Sequence, residues 1–421
     1  MGFASAWLNQ RALFPEFIEE TPDCNTGIIV VIPAFDEPSI IPLLNSLNSC
    51  PAPECRTEVL VIINAPGNAS DESIRNNKIC IDNIINWKKN TSSFFRLYVV
   101  DTGRSPKKGW GVGLARKTGM DEAVRRFNII DKPEGVIVCL DADCTVEKNY
   151  FTSISSQLLY RKDRSACSIY FEHPLSGFEF NDRIYNYIIQ YELHLRYFIR
   201  GLIYTGFPYA FHTVGSTLAV KAISYVRAGG MNRRQAGEDF YFVQKLIPQG
   251  GYFSLNTTTV YPSPRESIRV PFGTGVMMAK LIGKSESRLM TYNTLAFAEL
   301  KDLFAIMSGL YDSGETDILT ACESLPQGMK SFVNIDEWSA KIKEIKCNTS
   351  SYESFMKRFF AWFNTFRIVK YMNFVHPHIF KKRPVIDSAS DLLNISGLGF
   401  CSKDPEKLLL YYRSLDKVVM E

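Results

Sequence analysis

GVIVCLDADC, residues 135–144, runs a strongly apolar segment into two aspartates one residue apart and then turns polar. Two carboxylates so placed repel each other, and either solvent or a cation relieves that repulsion. The apolar run has the length and Val/Ile content of a strand buried on both faces of a parallel sheet. Three earlier stretches share the pattern: GIIVVIPAF (27–35), EVLVIINA (58–65) and FRLYVVDT (95–102). Each ends in Pro, Gly, Asp or Asn. Helical spacing fills the gaps between them. Ile40, Ile41, Leu43, Leu44 and Leu47 mark one face behind a Ser39 cap, and Leu114 and Ala115 through Val124 mark another. Alternating strands and helices predict an α/β sheet with ligand chemistry at the carboxyl ends of its strands.

Beyond residue 150 the pattern loosens. Residues 184–205 predict an aromatic-rich helix that Glu192, His194, Arg196 and Arg200 disqualify as a membrane span. Tyr185, Tyr187, Tyr191, Tyr197, Tyr204 and Tyr209 form either a platform for a sugar face or a packed core. Further strands are expected at 216–220 and 258–261. From about residue 290 apolar and charged residues alternate at helical spacing. The expected organisation is one α/β domain over 1–290 and a helical region of unknown role over 291–421.

The bulk numbers exclude several classes. Across 421 residues, 46% hydrophobic and 22% charged composition suits a globular chain with a sizeable core. A formal charge of +4 argues only weakly for an anionic ligand and gives no reason to expect nucleic acid. No stretch of eighteen apolar residues exists. The ten cysteines show no zinc-like spacing, and several sit inside apolar runs as small core residues. With no secretory pattern at the start, these thiols suggest the cytoplasm, and the N-x-S/T triplet at Asn256 carries no weight.

Four stretches are candidates for chemistry. Asp141 and Asp143 place two hard oxygen ligands within reach of a divalent ion such as Mg2+ or Mn2+, which fills its other positions with phosphate and water. The plain alternative is a surface turn using Asp for its turn propensity. GEDFYFVQKL (237–246) predicts a helix with an apolar face at Phe240, Phe242, Val243 and Leu246. Glu238 and Asp239 at its start suit the helix dipole, or supply a general base in a cleft. KKGWGVGLARKTGMDEA (107–123) fails as a Walker A loop and as a dinucleotide fingerprint, because Arg116 stands where the last glycine is required. What remains is a glycine-rich helix entry with Lys107, Lys108, Arg116 and Lys117, either receiving phosphate oxygens or forming a basic loop. In YPSPRESIRVPFGTG (261–275), Arg265 and Arg269 flank Ser267 and suit planar oxyanions. The five histidines form no metal pattern.

Order carries more than any single motif. IPAFDE, a second strand ending near residue 64, GVGLARKTGMDEA, LDADC, GSTLAVKAISYVRAGGMN and GEDFYF follow one another over residues 27–275. This succession resembles the family 2 glycosyltransferases of the GT-A fold. The resemblance implies a mostly parallel mixed sheet flanked by helices, and inverting, non-processive hexosyl transfer from a nucleotide-diphosphate sugar to an acceptor hydroxyl, glycan or lipid-linked. It implies a divalent metal at Asp141 and Asp143, the second bearing more of it and the first facing the ribose. Pro33, Ala34, Phe35 and Glu37 would line the nucleotide pocket, with Asp36 where Asn is usual. Asn64, Lys108, Arg116, Asp141, Arg265 and Arg269 complete the donor-binding set. Asp239 would be the catalytic base with Glu238 beside it, and Gly229, Gly230 and Met231 the acceptor-side turn.

The departures are specific. Asn64-Ala65-Pro66-Gly67 replaces the usual Asp-Asp-Gly-Ser, so uracil is not implied. No QxxRW motif is present, which disfavours a processive synthase. No histidine lies between 213 and 375 to add a metal ligand, so water fills that place or Arg265 and Arg269 neutralise phosphate. A sugar nucleotidyltransferase and a non-catalytic nucleotide-sugar-binding protein are the rival readings. SFMKRFFAWFNTFRIVKYMNF (354–374) is amphipathic and basic. It either lies on an anionic membrane surface, which would place the protein on the cytoplasmic face, or packs on the chain itself.

Overall fold

Every residue of Thr26–Ala34 is buried, and this strand, β1, pairs in parallel with neighbours on both sides. Its Val and Ile side chains face helices above and below, and full burial of each is worth about 1.5–3 kcal/mol relative to exposure. The computed structural model describes residues 2–37, 39–105, 110–233, 237–267, 273–283, 288–312 and 315–418. The other strands of the main sheet are β2 (Arg56–Pro66), β3 (Arg96–Ser105), β4 (Val136–Cys139), β5 (Thr145–Val146), β6 (Ala166–Phe171), β7 (Leu218–Lys221) and β8 (Tyr252–Tyr261). They lie in the order β3-β2-β1-β4-β7-β6-β8-β5. The first four are parallel, β7 joins antiparallel to β4 and β6, and β8 runs parallel to β6. The fold is therefore the expected mixed, mostly parallel α/β sheet.

Two features of this topology position the site. Strand order reverses beside β1, so the carboxyl ends of the parallel strands β1, β2 and β4 lie side by side, where open α/β sheets commonly bind ligands. They deliver Phe35–Glu37, Asn64 and Asp141–Asp143. In addition, Thr145 pairs with Tyr261 across β5 and β8. That pairing brings the chain after Tyr261, which carries Arg265, alongside the acidic turn.

In chain order the first helices are α1 (Ser5–Arg11), α2 (Ile41–Asn48), α3 (Asp71–Asn90), α4 (Val112–Ile129), α5 (Tyr150–Ile154), α6 (Asp182–Tyr204), α7 (Ala222–Arg227), α8 (Glu238–Leu246) and α9 (Thr274–Gly283). Helix α4 is buried around almost its whole circumference, charged residues included. One side lies so close to Val31 and Ile62 that Gly119 has no room for a Cβ. The opposite side is covered by the N-terminal segment. Asn128 accepts from the Ala4 N–H, Glu122 from Phe17 and Ile18, and Arg126 donates to the Glu20 carbonyl and pairs with Glu58. Polar residues on that face are thereby satisfied rather than solvated.

Several expectations need correction. Ser39 does not cap α2; Ile40 stands at the cap without a side-chain bond, and Pro42 occupies the first turn, where its missing N–H costs nothing. β6 was not expected, because Ser168 interrupts its short apolar run. β8 begins at Tyr252, earlier than its apolar end suggests, since Asn256 through Thr259 hide it. Buried cysteines behave as core atoms: burial pushes the Cys139 thiol up to about 12 and Cys80 to about 11.

The chain divides into two compact units, Met1–Tyr185 with Thr213–Gly283 and Asp416–Glu421, and Asn186–His212 with Lys284–Leu415. The second unit thus takes most of the aromatic helix as well as the C-terminal region. It adds a two-stranded pairing, β9 (Met290–Thr291) with β10 (Arg383–Pro384), and helices α10 (Thr294–Gly309), α11 (Glu315–Ser324), α12 (Gln327–Phe332), α13 (Ile335–Cys347), α14 (Tyr352–Trp362), α15 (Thr365–His378), α16 (Val385–Ile395) and α17 (Pro405–Lys417). Its core includes a buried ion cluster in which Glu192 binds both Arg196 and Arg413. Tyr197 is fully buried there, packed on Phe297, and donates to the Tyr292 carbonyl, so this tyrosine is core. Residues 354–374 form α14 and α15, broken where Asn364 caps the second helix. Phe355, Phe359, Phe360 and Phe363 are buried, the last three against Phe304. The amphipathic pattern is spent on packing within this unit. Among the described residues no helix is long and apolar enough to cross a membrane.

Candidate active site

A single buried guanidinium joins the two acidic motifs. Arg116, one turn into α4, donates from Nη2 to Asp141 and from Nη1 to Glu238. The two carboxylates belong to the turn after β4 and to the start of α8. The approach requires Gly215, because a Cβ there would overlap the guanidinium. Burial opposes the charge on Arg116. The charges of Asp141, Glu238 and Asp239 more than offset it and hold the group protonated, well above the ordinary arginine value.

A second guanidinium holds the other end of the acidic turn. Arg265 forks onto Glu37, with Nη1 to Oε1 at 2.8 Å and Nη2 to Oε2, and its Nε donates to Asp143 at 2.8 Å. This bidentate geometry is one that arginine supplies and lysine does not. Burial again works against the charge, while the bonds to Glu37 and the charge of Asp143 raise the arginine above its usual value.

Asp239 follows Glu238 directly and accepts from the Phe240 N–H at 2.7 Å. Burial first, and the neighbouring Glu238 charge second, push its carboxyl up to about 6, against the lowering influence of Arg116. A carboxylate raised into this range can take up a proton near neutral pH.

The remaining residues fall into place around these pairs. Pro33 and Ala34 end β1 and are buried. Phe35 is half-buried and meets Trp110 edge to face, with ring centroids 5.0 Å apart. Asn64 is buried and donates to the Gly111 carbonyl at 3.3 Å, which ties the end of β2 to the entry of α4. Asp36 takes a left-handed φ of 52°, which Asp tolerates better than most residues. Its carboxylate accepts from Ser73 and Asn76 on α3. Gly229 and Gly230 have positive φ in the turn before α8. Lys107, Lys108 and Arg269 lie outside the described residues.

Two of the expected site residues are buried in ion pairs. Arg116 is 5% exposed and engaged on both sides, so it organises carboxylates rather than presenting itself to a ligand. Glu238 is 2% exposed and committed to Arg116, and Asp239 beside it is the member of the pair whose carboxyl burial pushes up. Sequence reasoning passed over Trp110 and Gly215. An aromatic residue beside glycines at a helix entry was a visible signal for the first, whereas nothing local marks the second.

The donor set suits a hard divalent cation. Asp141 and Asp143 are 39% and 26% exposed, while Glu37 is 4% exposed, so the paired aspartates are the carboxylates a hydrated ion can reach. Among the described residues no three His, Cys, Asp or Glu side chains gather as a complete ligand set. An ion there would draw its other ligands from phosphate and water, as Mg2+ and Mn2+ commonly do.

No family model matches the chain, and no curated protein matches it. Among solved structures, the chain is similar to residues 1–349 of TarS from S. aureus, in complex with UDP-GlcNAc, at 13% identity over 71% of this chain and 82% of that one, with a TM-score of 0.40. It is similar to the mannosyltransferase PcManGT from Pyrobaculum calidifontis, in complex with GDP-Man and Mn2+, at 14% identity over 88% and 89%, with a TM-score of 0.37. It is also similar to glucosyl-3-phosphoglycerate synthase from Mycobacterium tuberculosis, in complex with Mn2+, UDP and glucosyl-3-phosphoglycerate, at 15% identity over 63% and 84%, with a TM-score of 0.35.

Proposed function

We propose that this chain is an inverting, non-processive hexosyltransferase that moves a sugar from a nucleotide-diphosphate donor to an acceptor hydroxyl, glycan or lipid-linked, in the cytoplasm. The observation that carries this reading is the Arg116 bridge. Its two terminal nitrogens hold Asp141 and the residue next to Asp239, which supports a site that the acidic turn and the candidate base share.

Asp239 takes the proton from the acceptor hydroxyl as that oxygen attacks the anomeric carbon in line. One displacement forms the new C–O bond, breaks the bond to the diphosphate and inverts the anomeric centre. Asp141 and Asp143 would hold a divalent metal, whose charge would offset the one developing on the departing diphosphate. Glu37 orients Arg265 toward the same oxygens, where a preformed guanidinium contributes electrostatic stabilisation. Phe35 and Trp110 border the nucleotide, and Arg116 keeps Asp141 and Glu238 from repelling each other.

A thermal-shift panel of nucleoside diphosphates with and without Mn2+, followed by release of nucleoside diphosphate from the matching sugar donors, tests the reading. Binding and slow donor hydrolysis are expected. Asp239→Asn should lose turnover and keep the thermal shift. Wild-type turnover in that variant removes the base assignment, and a flat panel removes the donor site.

A further inference from the structure

Two chains of contact tie α4 to the helix that carries Asp239. The first is the bond from Arg116 to Glu238. The second starts one residue further along, where Lys117 Nζ donates to Asp121 at 2.8 Å. Asp121 also accepts from the Tyr225 hydroxyl at 2.7 Å, and the Met231 backbone bonds to that same hydroxyl. All three side chains are buried. The Tyr225 ring packs on Phe242 of α8 with centroids 5.4 Å apart. Phe242 lies three residues after Asp239, so the two share a side of the helix. Trp7 on α1 covers this second chain. Its indole meets the Tyr225 ring edge to face with centroids 5.6 Å apart, and the Lys117 ammonium stands 5.5 Å from its ring centroid. It also abuts the turn before α8, since a Cβ on Gly230 would come within 2.8 Å of Trp7 Cζ2. The Trp7 Nε1–H is buried with no hydrogen-bond partner among the described residues, so the ring makes its contacts. Burying a Lys–Asp pair costs desolvation, which the aromatic face at the ammonium and the Tyr225 bond partly offset.

We infer that Trp7 is a positioning residue for Asp239: by packing on Tyr225, and through it on Phe242, it sets the placement of α8 and so the direction of the carboxylate at that helix's start. The inference rests on the reading of Asp239 as the base. A reacting group displaced by about 1 Å can lose about a hundredfold in rate. Loosening this packing therefore lowers turnover and leaves the binding of diphosphate alone, because the acidic turn and Arg265 belong to other elements. The N-terminal segment thus serves the reaction from behind α4, without touching a reactant.

The test is steady-state hydrolysis of UDP-GlcNAc and GDP-mannose by the full chain with Mn2+, beside the Kd of UDP and GDP. Trp7→Ala should lower kcat by about tenfold or more, with donor KM and diphosphate Kd within about twofold of the wild type. Trp7→Phe keeps a ring against Lys117 and Tyr225 and should recover most of the loss. If Trp7→Ala does not fold, Trp7→Leu fills the space without a flat face and carries the same expectation. A lower urea midpoint with wild-type kcat in the folded enzyme would make Trp7 purely structural and overturns the inference. A parallel loss of diphosphate binding overturns it as well. Asp239→Asn is measured alongside: wild-type turnover there removes the base assignment itself, and no hydrolysis of either donor by the wild type removes the donor reading, each taking this inference with it.

Discussion

Gly215 and Arg116 occupy adjoining space, and any side chain at 215 would overlap the guanidinium that joins the two acidic motifs. The glycine serves the site by what it lacks. Gly215→Ala must push Arg116 off Asp141 and Glu238 or shift the backbone ahead of β7. Overpacking of this kind costs about 1–3 kcal/mol. Urea unfolding should show that loss, and the thermal shift from nucleoside diphosphate should shrink with it. A variant that unfolds like the wild type and keeps its shift would mean that the close approach constrains nothing.

Arg116 itself should matter more for folding than a surface arginine does. Removing it strands Glu238, which is 2% exposed, beside Asp239. Breaking a buried pair from one side costs about 3–5 kcal/mol. Arg116→Gln should lose stability in that range, and adding Glu238→Gln should restore a large part of it. The coupling is read from a double-mutant cycle in urea. Simple additivity of the two changes would show that the bond contributes nothing specific.

The central sheet was legible because β1, β2 and β4 are buried on both faces and therefore written as Val/Ile runs, whereas β3, read in sequence as a strand of the same kind, lies at the sheet's edge and is only partly buried. β6 and the start of β8 were not, since their sequences mix Ser, Thr and Asn with apolar residues. The acidic motifs were visible as residues, but their partners were not. Arg116 and Glu238 are 122 positions apart, and Arg265 and Glu37 228. Only the reversal of strand order and the β5–β8 pairing bring them together. Arg116 read as a phosphate ligand for the same reason: a basic residue after glycines looks alike whether it faces solvent or two buried carboxylates. Glu192 in the second unit makes a parallel case, appearing in sequence as a charge that breaks an apolar helix and in the fold as a buried partner of two arginines.

Asp239 sets a pH dependence whose sign is fixed. Its folded value lies near 6, above the ordinary 3.8. The stability it contributes is fully present below about pH 4 and is lost as pH rises through about 6, because burial disfavours the ionised form. Asp239→Asn should thus leave stability unchanged near pH 4 and raise it above pH 6, by about 1–3 kcal/mol. Donor hydrolysis by the wild type should rise through about pH 6 and level off, as the base loses its proton. Equal destabilisation of the variant at pH 4 and pH 8, together with a flat rate profile, would remove Asp239 from this role.

The aromatic stretch 354–374 allows a prediction about membranes. An interfacial helix binds by inserting an apolar face, and affinity scales with the apolar area it offers. Here Phe355, Phe359, Phe360 and Phe363 are buried, and Trp338 packs against Phe359 and Phe363. Exposing that face would mean unpacking the core of the second unit. Basic residues such as Lys370 remain exposed, yet charge alone attracts weakly at physiological salt. The full chain should therefore stay unbound in flotation with vesicles of phosphatidylcholine and phosphatidylserine at 0.15 M salt. Flotation that Phe359→Ser abolishes without altering the wild-type fold would show that the face leaves its core, and the packing assigned to α14 would have to be one of two states.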